Sequence, residues 1–251
     1  IVAGKGGVGK TAVTAALAVA ASEVGVRTLV VEVEGKGGIS TMFGAEVLAY
    51  DQSCLVTPEE GRGGVFARTI TPDEALLEYL RAHGMQRISN RLVSSGALEL
   101  ISTAVPGIRD ILVLGAVKSL ERGDDFDLIV LDAPAAGHAI TFLRSATGLA
   151  DAVKVGPINA QAEEVLELLD DPERCRVMLV TVPEETPVNE LIQTAYSLED
   201  QVGVALGPVV VNGVVADLPG LAVTPQAAAD EAGVRLLDGE ADVLAAAAEF
   251  R

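Results

Sequence analysis

"GKGGVGKT", residues Gly4–Thr11, carries a glycine, four residues, a second glycine, then lysine and threonine. It follows an apolar stub, Ile1–Ala3, and opens an Ala-rich stretch, Thr11–Val24, with Gly25 where a helix stop is expected. Strand, glycine-rich turn and helix together form the context in which this spacing cradles phosphate. The backbone N–H groups of Gly6 to Lys10 are expected to surround phosphate oxygens, with the helix dipole adding positive potential. Lys10 is expected to reach the β- and γ-phosphates, and the Thr11 hydroxyl to bind Mg²⁺. The candidate binding residues here are Gly4, Gly6, Gly7, Val8, Gly9, Lys10, Thr11 and Ala12.

Beyond the loop, strand and helix patterns alternate. "TLVVEVE" (Thr28–Glu34) and Val65–Ile70 read as β-branched strands. "FDLIVLD" (Phe126–Asp132) is a continuous apolar run, as a strand buried on both faces should be. "RVMLVTV" (Arg176–Val182) and "GPVVVNG" (Gly207–Gly213) repeat that signature. Helical spacing covers Gln161–Leu169, Asn189–Gln201 and Gln226–Phe250. It also covers Pro72 to about Leu120, with interruptions at Gly84, Gly96 and Val105–Gly107. Such alternation implies parallel pairing and right-handed crossovers. The expected fold is α/β: a doubly wound, mostly parallel sheet flanked by helices. One domain is expected over 1–251, with a small helical insertion at 72–122.

Composition narrows the partners. Hydrophobic residues make up 49 % of the 251, aromatics 3 %, and Trp is absent, so the core must be aliphatic. The net charge of −18 repels nucleic acid and anionic lipid. Neither stable membrane insertion nor nucleic-acid binding is expected, since no uncharged apolar run reaches the ~18 residues a membrane helix needs. Cys54 and Cys175 form no CxxC pair and read as buried or partly buried thiols in a reducing, cytoplasmic compartment. Only three residues precede the loop, so the native chain is expected to begin earlier.

Two residues raise questions of role. Lys5 leaves the loop before the backbone wraps the phosphates. By position alone, it either reaches a second subunit facing the site or is a solvated loop-edge lysine. Asp132 ends a buried strand at the carboxyl edge, where open α/β sheets bind ligands. It can hold a Mg²⁺-bound water or cap the segment that follows.

"KGGVGKT" resembles the signature-lysine, or deviant Walker A, loop of the MinD/ParA/nitrogenase-iron-protein/ArsA superfamily. The resemblance implies ATP and Mg²⁺ as cofactors and a dimer in which Lys5 crosses to the partner's nucleotide. There it would neutralise charge that develops in phosphoryl transfer. "DAPAAGHAITFLR" (Asp132–Arg144) resembles switch II of the arsenite-pump and tail-anchored-protein targeting (ArsA/GET) branch, with Asp132, Gly137, His138, Phe142 and Leu143 matching in place. His138 is either a γ-phosphate sensor or a satisfied loop residue. Pro183 and Glu184 resemble that branch's turn beside the base. Asn212 matches an asparagine on adenine, and an amide suits this as both donor and acceptor. "PGIRD" (Pro106–Asp110) also has a counterpart. "VEVEGKGGISTMFG" (Val31–Gly44) is similar to one of two actinobacterial paralogues of the branch, which are expected to pair.

The sequence departs from that pattern at switch I. The branch has an aspartate that orients the attacking water, and here the aligned residue is Glu34. One added methylene matters, because ~1 Å of misplacement can cost ~100-fold in rate. Glu34 is a slow base, a Mg²⁺-water ligand or a structural residue. Glu32, two along the strand and on the same face, is the backup carboxylate. The expected catalytic set is Lys5, Lys10, Glu34 and Asp132, with Thr11 and Asp132 on the metal. Two cysteines cannot supply the three ligands of arsenite activation. The expected activity is ATP hydrolysis by a homodimer, or by a heterodimer with a paralogue, acting on an unidentified protein client, with a hydrophobic protein as the candidate. The alternatives are a weakly hydrolysing regulatory subunit and a MinD/ParA-type positioning ATPase.

Overall fold

The computed structural model describes residues 1–33, 37–95, 107–215 and 223–249. By contacts the chain forms two compact units, Ile1–Asn212 and Gly213–Arg251. The first is built on a seven-stranded sheet in the order β3-β4-β2-β5-β1-β6-β7. The strands are β1 (Val2–Gly4), β2 (Thr28–Val33), β3 (Ser53–Val56), β4 (Val65–Ile70), β5 (Leu128–Asp132), β6 (Met178–Thr181) and β7 (Val210–Val211). Every pairing is parallel except that of β3, which runs antiparallel to β4.

Side-chain alternation assigns the two faces of the sheet. In β2, Leu29, Val31 and Val33 enter the main core with Leu131 of β5 and Ala3 of β1. Helices α3 (Pro72–Ala82), α5 (Ile108–Glu121), α6 (Ala136–Ala152) and α7 (Pro157–Asp170) supply the other wall of that core. Val30 faces the opposite way, onto Ala18 of α1 (Lys10–Glu23) and Ile39 of α2 (Gly38–Phe43). Val130 of β5 and Val2 of β1 do the same against Val8. Both faces are therefore covered, which is why β2 is buried along its whole length. The same alternation puts Glu32 and Asp132 on the α1 face, and the β2–β5 register pairs them directly.

The other described helices are α4 (Gln86–Ser95) and α8 (Glu185–Gln201). The second unit holds α9 (Pro225–Ala232) and α10 (Glu240–Glu249). The single helical pattern expected over Gln226–Phe250 is thus two helices, because Gly233 adopts the left-handed conformation (φ 66°) and closes α9. Residue 250 lies outside the described residues, as do Gly96 and Val105–Pro106.

Several strands are shorter than their apolar runs. The run at Phe126–Asp132 pairs only from Leu128, opposite Thr28 where β2 begins, and Phe126 stacks edge-on against Phe66 at 5.5 Å. The 17-residue α6 runs through the segment that resembles switch II, which is not among the helical patterns expected from the sequence. Yet Ala139, Phe142, Leu143, Ala146 and Leu149 all enter the main core, at helical spacing. The edge strand β3 and the short helix α2 carry too weak a period to announce themselves.

Candidate nucleotide site

The site begins where β1 must turn into α1. β1 lies against β6 with Gly4 opposite Val180. A Cβ on Gly4 would sit 2.3 Å from the Val180 carbonyl oxygen, so only glycine permits this approach. Gly9 has φ 88° at the N-cap of α1, and a Cβ there would meet the Asn212 amide nitrogen at 2.2 Å. By contrast, a Cβ on Gly6 or Gly7 would meet nothing within 4 Å. The turn is closed on its protein side and open on its outer side. That is the shape a phosphate cradle needs.

Lys10 Nζ donates to the Lys5 carbonyl at 3.2 Å and so lies folded over the loop. Val8 is 2 % exposed and packs with Val2, Val130 and Val180, which anchors the middle of the turn. Ala12 follows in the first turn of α1. Thr11 Oγ1 donates to Asp132 Oδ2 at 2.8 Å. A hydroxyl and a carboxylate, hard oxygen donors at the carboxyl edge of the sheet, suit Mg²⁺ completed by phosphate and water. Among the described residues no group of three or more His, Cys, Asp and Glu side chains is placed to hold a metal.

Glu32 sits beside this pair, 2 % exposed. Its carboxylate accepts backbone N–H bonds from Gly37 (3.2 Å), Gly38 (2.9 Å) and Ile39 (3.4 Å). A carboxylate this buried needs such compensation. A Cβ on Gly38 would come within 2.9 Å of Thr11 Cγ2, so Glu32 holds the start of α2 against Thr11. The sequence presents Glu32 as a backup carboxylate and does not show this anchoring role. The paired glycines at 37 and 38 are the signal that could have found it. Glu34 lies outside the described residues.

Asn212 follows β7, where its N–H bonds the Thr181 carbonyl at 2.7 Å. Its Nδ2 donates to the Val8 carbonyl at 2.9 Å, tying the strand end to the loop. Pro183 and Glu184 are exposed in the turn between β6 and α8, and the Glu184 N–H bonds the Val182 carbonyl at 2.8 Å. His138 is exposed in the first turn of α6. Lys5 does not fold back over its own loop. Its Nζ pairs with Glu190 Oε1 of α8 at 2.7 Å. Glu190 is 185 residues away and no sequence signal marks it.

No helix among the described residues is long and apolar enough to cross a membrane. The profile of the anion-transporting ATPase family matches residues 1–159. ATPase BagA of Mycobacterium tuberculosis is 37 % identical over 219 residues, covering 84 % of this chain and 64 % of that protein. The chain therefore spans less than two thirds of the length of this relative. The arsenical pump-driving ATPase of Escherichia coli is 26 % identical over 234 residues, covering 84 % of this chain and 38 % of that protein. ATPase get3 of Schizosaccharomyces japonicus is 29 % identical over 152 residues, covering 61 % of this chain and 45 % of that protein. With this match over residues 1–159 and 37 % identity to a relative across 84 % of its length, the chain belongs to the anion-transporting ATPase family.

Proposed function

We propose that this chain binds ATP with Mg²⁺, hydrolyses it to ADP and phosphate, and works as a dimeric switch on a hydrophobic protein client. The observation that carries the reading is the Thr11–Asp132 pair at 2.8 Å beside a loop whose outer side is open. The loop N–H groups and Lys10 bind and orient the phosphates. Thr11 supplies a hydroxyl to Mg²⁺, and Asp132 orients that hydroxyl or a metal-bound water. Asn212, Pro183 and Glu184 line the direction in which the base extends. Lys5 serves the nucleotide of a partner subunit, and the charge it brings there favours transfer. Steady-state turnover with Mg·ATP tests this, with Lys10→Ala and Thr11→Val alongside. Phosphate release by the wild type and a loss of at least ~100-fold in either variant are expected. Equal rates for all three would refute the assignment.

One observation favours a second reading, a weakly hydrolysing subunit paired with a more active paralogue. Glu32 is committed to three backbone N–H groups, which leaves Glu34, one methylene longer than the aspartate of the resemblance, as the carboxylate to orient water. Single-turnover assays of this chain alone and mixed with its paralogue separate the two. Fast hydrolysis by this chain alone would exclude the weak-subunit reading.

A further inference from the structure

The side chain of Lys5 and its main chain do different work. The carbonyl accepts from Lys10 and belongs to the loop. The ammonium turns out of the loop onto α8, where Glu190 Oε1 lies at 2.7 Å. This placement follows from topology. β6 lies beside β1, and α8 starts just after β6, so its second turn stands next to the loop that follows β1.

The pair is strong enough to set a resting position and weak enough to be broken. The Lys5 side chain is 36 % exposed and that of Glu190 43 %. Ion pairs this open shift an equilibrium by at most about five-fold. A polyphosphate carries more negative charge than one carboxylate and outcompetes it for an ammonium held at the same edge.

We propose that Glu190 is a holding residue for Lys5: it keeps the ammonium on its own subunit until the nucleotide of a facing subunit draws it away. This rests on the reading of the chain as a nucleotide-closed dimer in which Lys5 acts across the interface. Two subunits carry two such latches, and closing the dimer opens both. Glu190 thereby sets how much nucleotide-bound dimer forms at a given protein concentration, opposing closure when the facing site is empty.

The test uses the full chain with Mg²⁺ and β,γ-imido-ATP. Dimer dissociation constants come from sedimentation velocity for the wild type, Glu190→Gln, Lys5→Ala and the double variant. In parallel, the rate of Lys5 acetylation is read by mass spectrometry on the nucleotide-free protein. Glu190→Gln is expected to raise Lys5 acetylation about two- to five-fold and to tighten the dimer by up to about five-fold per latch. In the Lys5→Ala background the same substitution changes nothing, since the cycle then has no partner to couple. A dimer that forms normally but is unchanged or weakened by Glu190→Gln overturns the latch and leaves the dimer reading intact. A wild-type chain that stays monomeric with the analogue at every concentration overturns the dimer reading itself, and the latch with it. The acetylation rates still report whether the ion pair forms in the monomer.

Discussion

Glu32→Gln is the substitution that most directly probes how the site is held. The carboxylate is 2 % exposed and accepts three backbone N–H bonds, one on Oε2 and two on Oε1. A glutamine keeps one oxygen, which can still serve Gly38 and Ile39. Its amide nitrogen then faces the Gly37 N–H, donor against donor. One charge-assisted bond is lost, worth about 1.5–3 kcal/mol, and the half-buried Gly37 N–H is left unsatisfied. The expected loss of stability is about 2–3 kcal/mol, since the two effects overlap at one group. Glu32→Asp withdraws the carboxylate by one methylene and should cost a similar amount. Urea unfolding with an unchanged m value measures the loss. Amide hydrogen exchange at Gly37 localises it, with faster exchange expected in both variants. A change within about 0.5 kcal/mol, the range of an ordinary surface substitution, would refute the argument that these N–H groups depend on Glu32.

Gly4→Ala drives a Cβ to 2.3 Å from the Val180 carbonyl, which is backbone and cannot swing aside. A loss of at least ~3 kcal/mol is expected in urea unfolding, and a loss under ~1 would mean that β1 and β6 are further apart than described. Asn212→Ala removes the 2.9 Å bond to Val8 and loosens the loop. The Kd for ATP, from fluorescent-nucleotide titration, is expected to rise about five-fold, and an unchanged Kd would separate Asn212 from the site. Glu121 and Arg174 form a two-pronged pair at 2.9 and 2.7 Å, and the guanidinium holds the Glu121 carboxyl below its ordinary value of 4.5. Because the folded value is the lower one, the stabilisation is fully present above pH 4.5 and is lost as pH falls through the folded value. Wild type should exceed Glu121→Gln by about 0.5–1 kcal/mol at pH 7, and the gap should close in acid. A gap that stays constant with pH would assign the difference to packing instead.

The fold was legible because its signals are local. The Gly4–Thr11 spacing, the β-branched run at Thr28 and the apolar run ending at Asp132 each specify an element without help from the rest of the chain. The Thr11–Asp132 contact was legible too, since a loop threonine and a carboxylate at a strand end meet wherever the two strands share an edge. What stayed hidden depends on register or on distance. Glu32 looked like a spare carboxylate until β2 was placed beside β5 and the glycines of α2 came back onto it. Glu190 carries no mark in sequence, because its partner lies 185 residues away and only the pairing of β1 with β6 brings the two together. The break at Gly233 was missed because the alanines on either side continue the helical pattern through it. In α6, a segment that resembles a switch is helical, and Ala139, Phe142, Leu143, Ala146 and Leu149 carry that period.

The central claim is that this chain hydrolyses ATP as a dimer that uses Lys5. The most direct test is specific ATPase activity across a range of protein concentrations, with Lys5→Ala alongside. Activity per chain that rises with concentration for the wild type, and is abolished in Lys5→Ala, is the predicted result. Activity per chain that is independent of concentration and survives Lys5→Ala would contradict it.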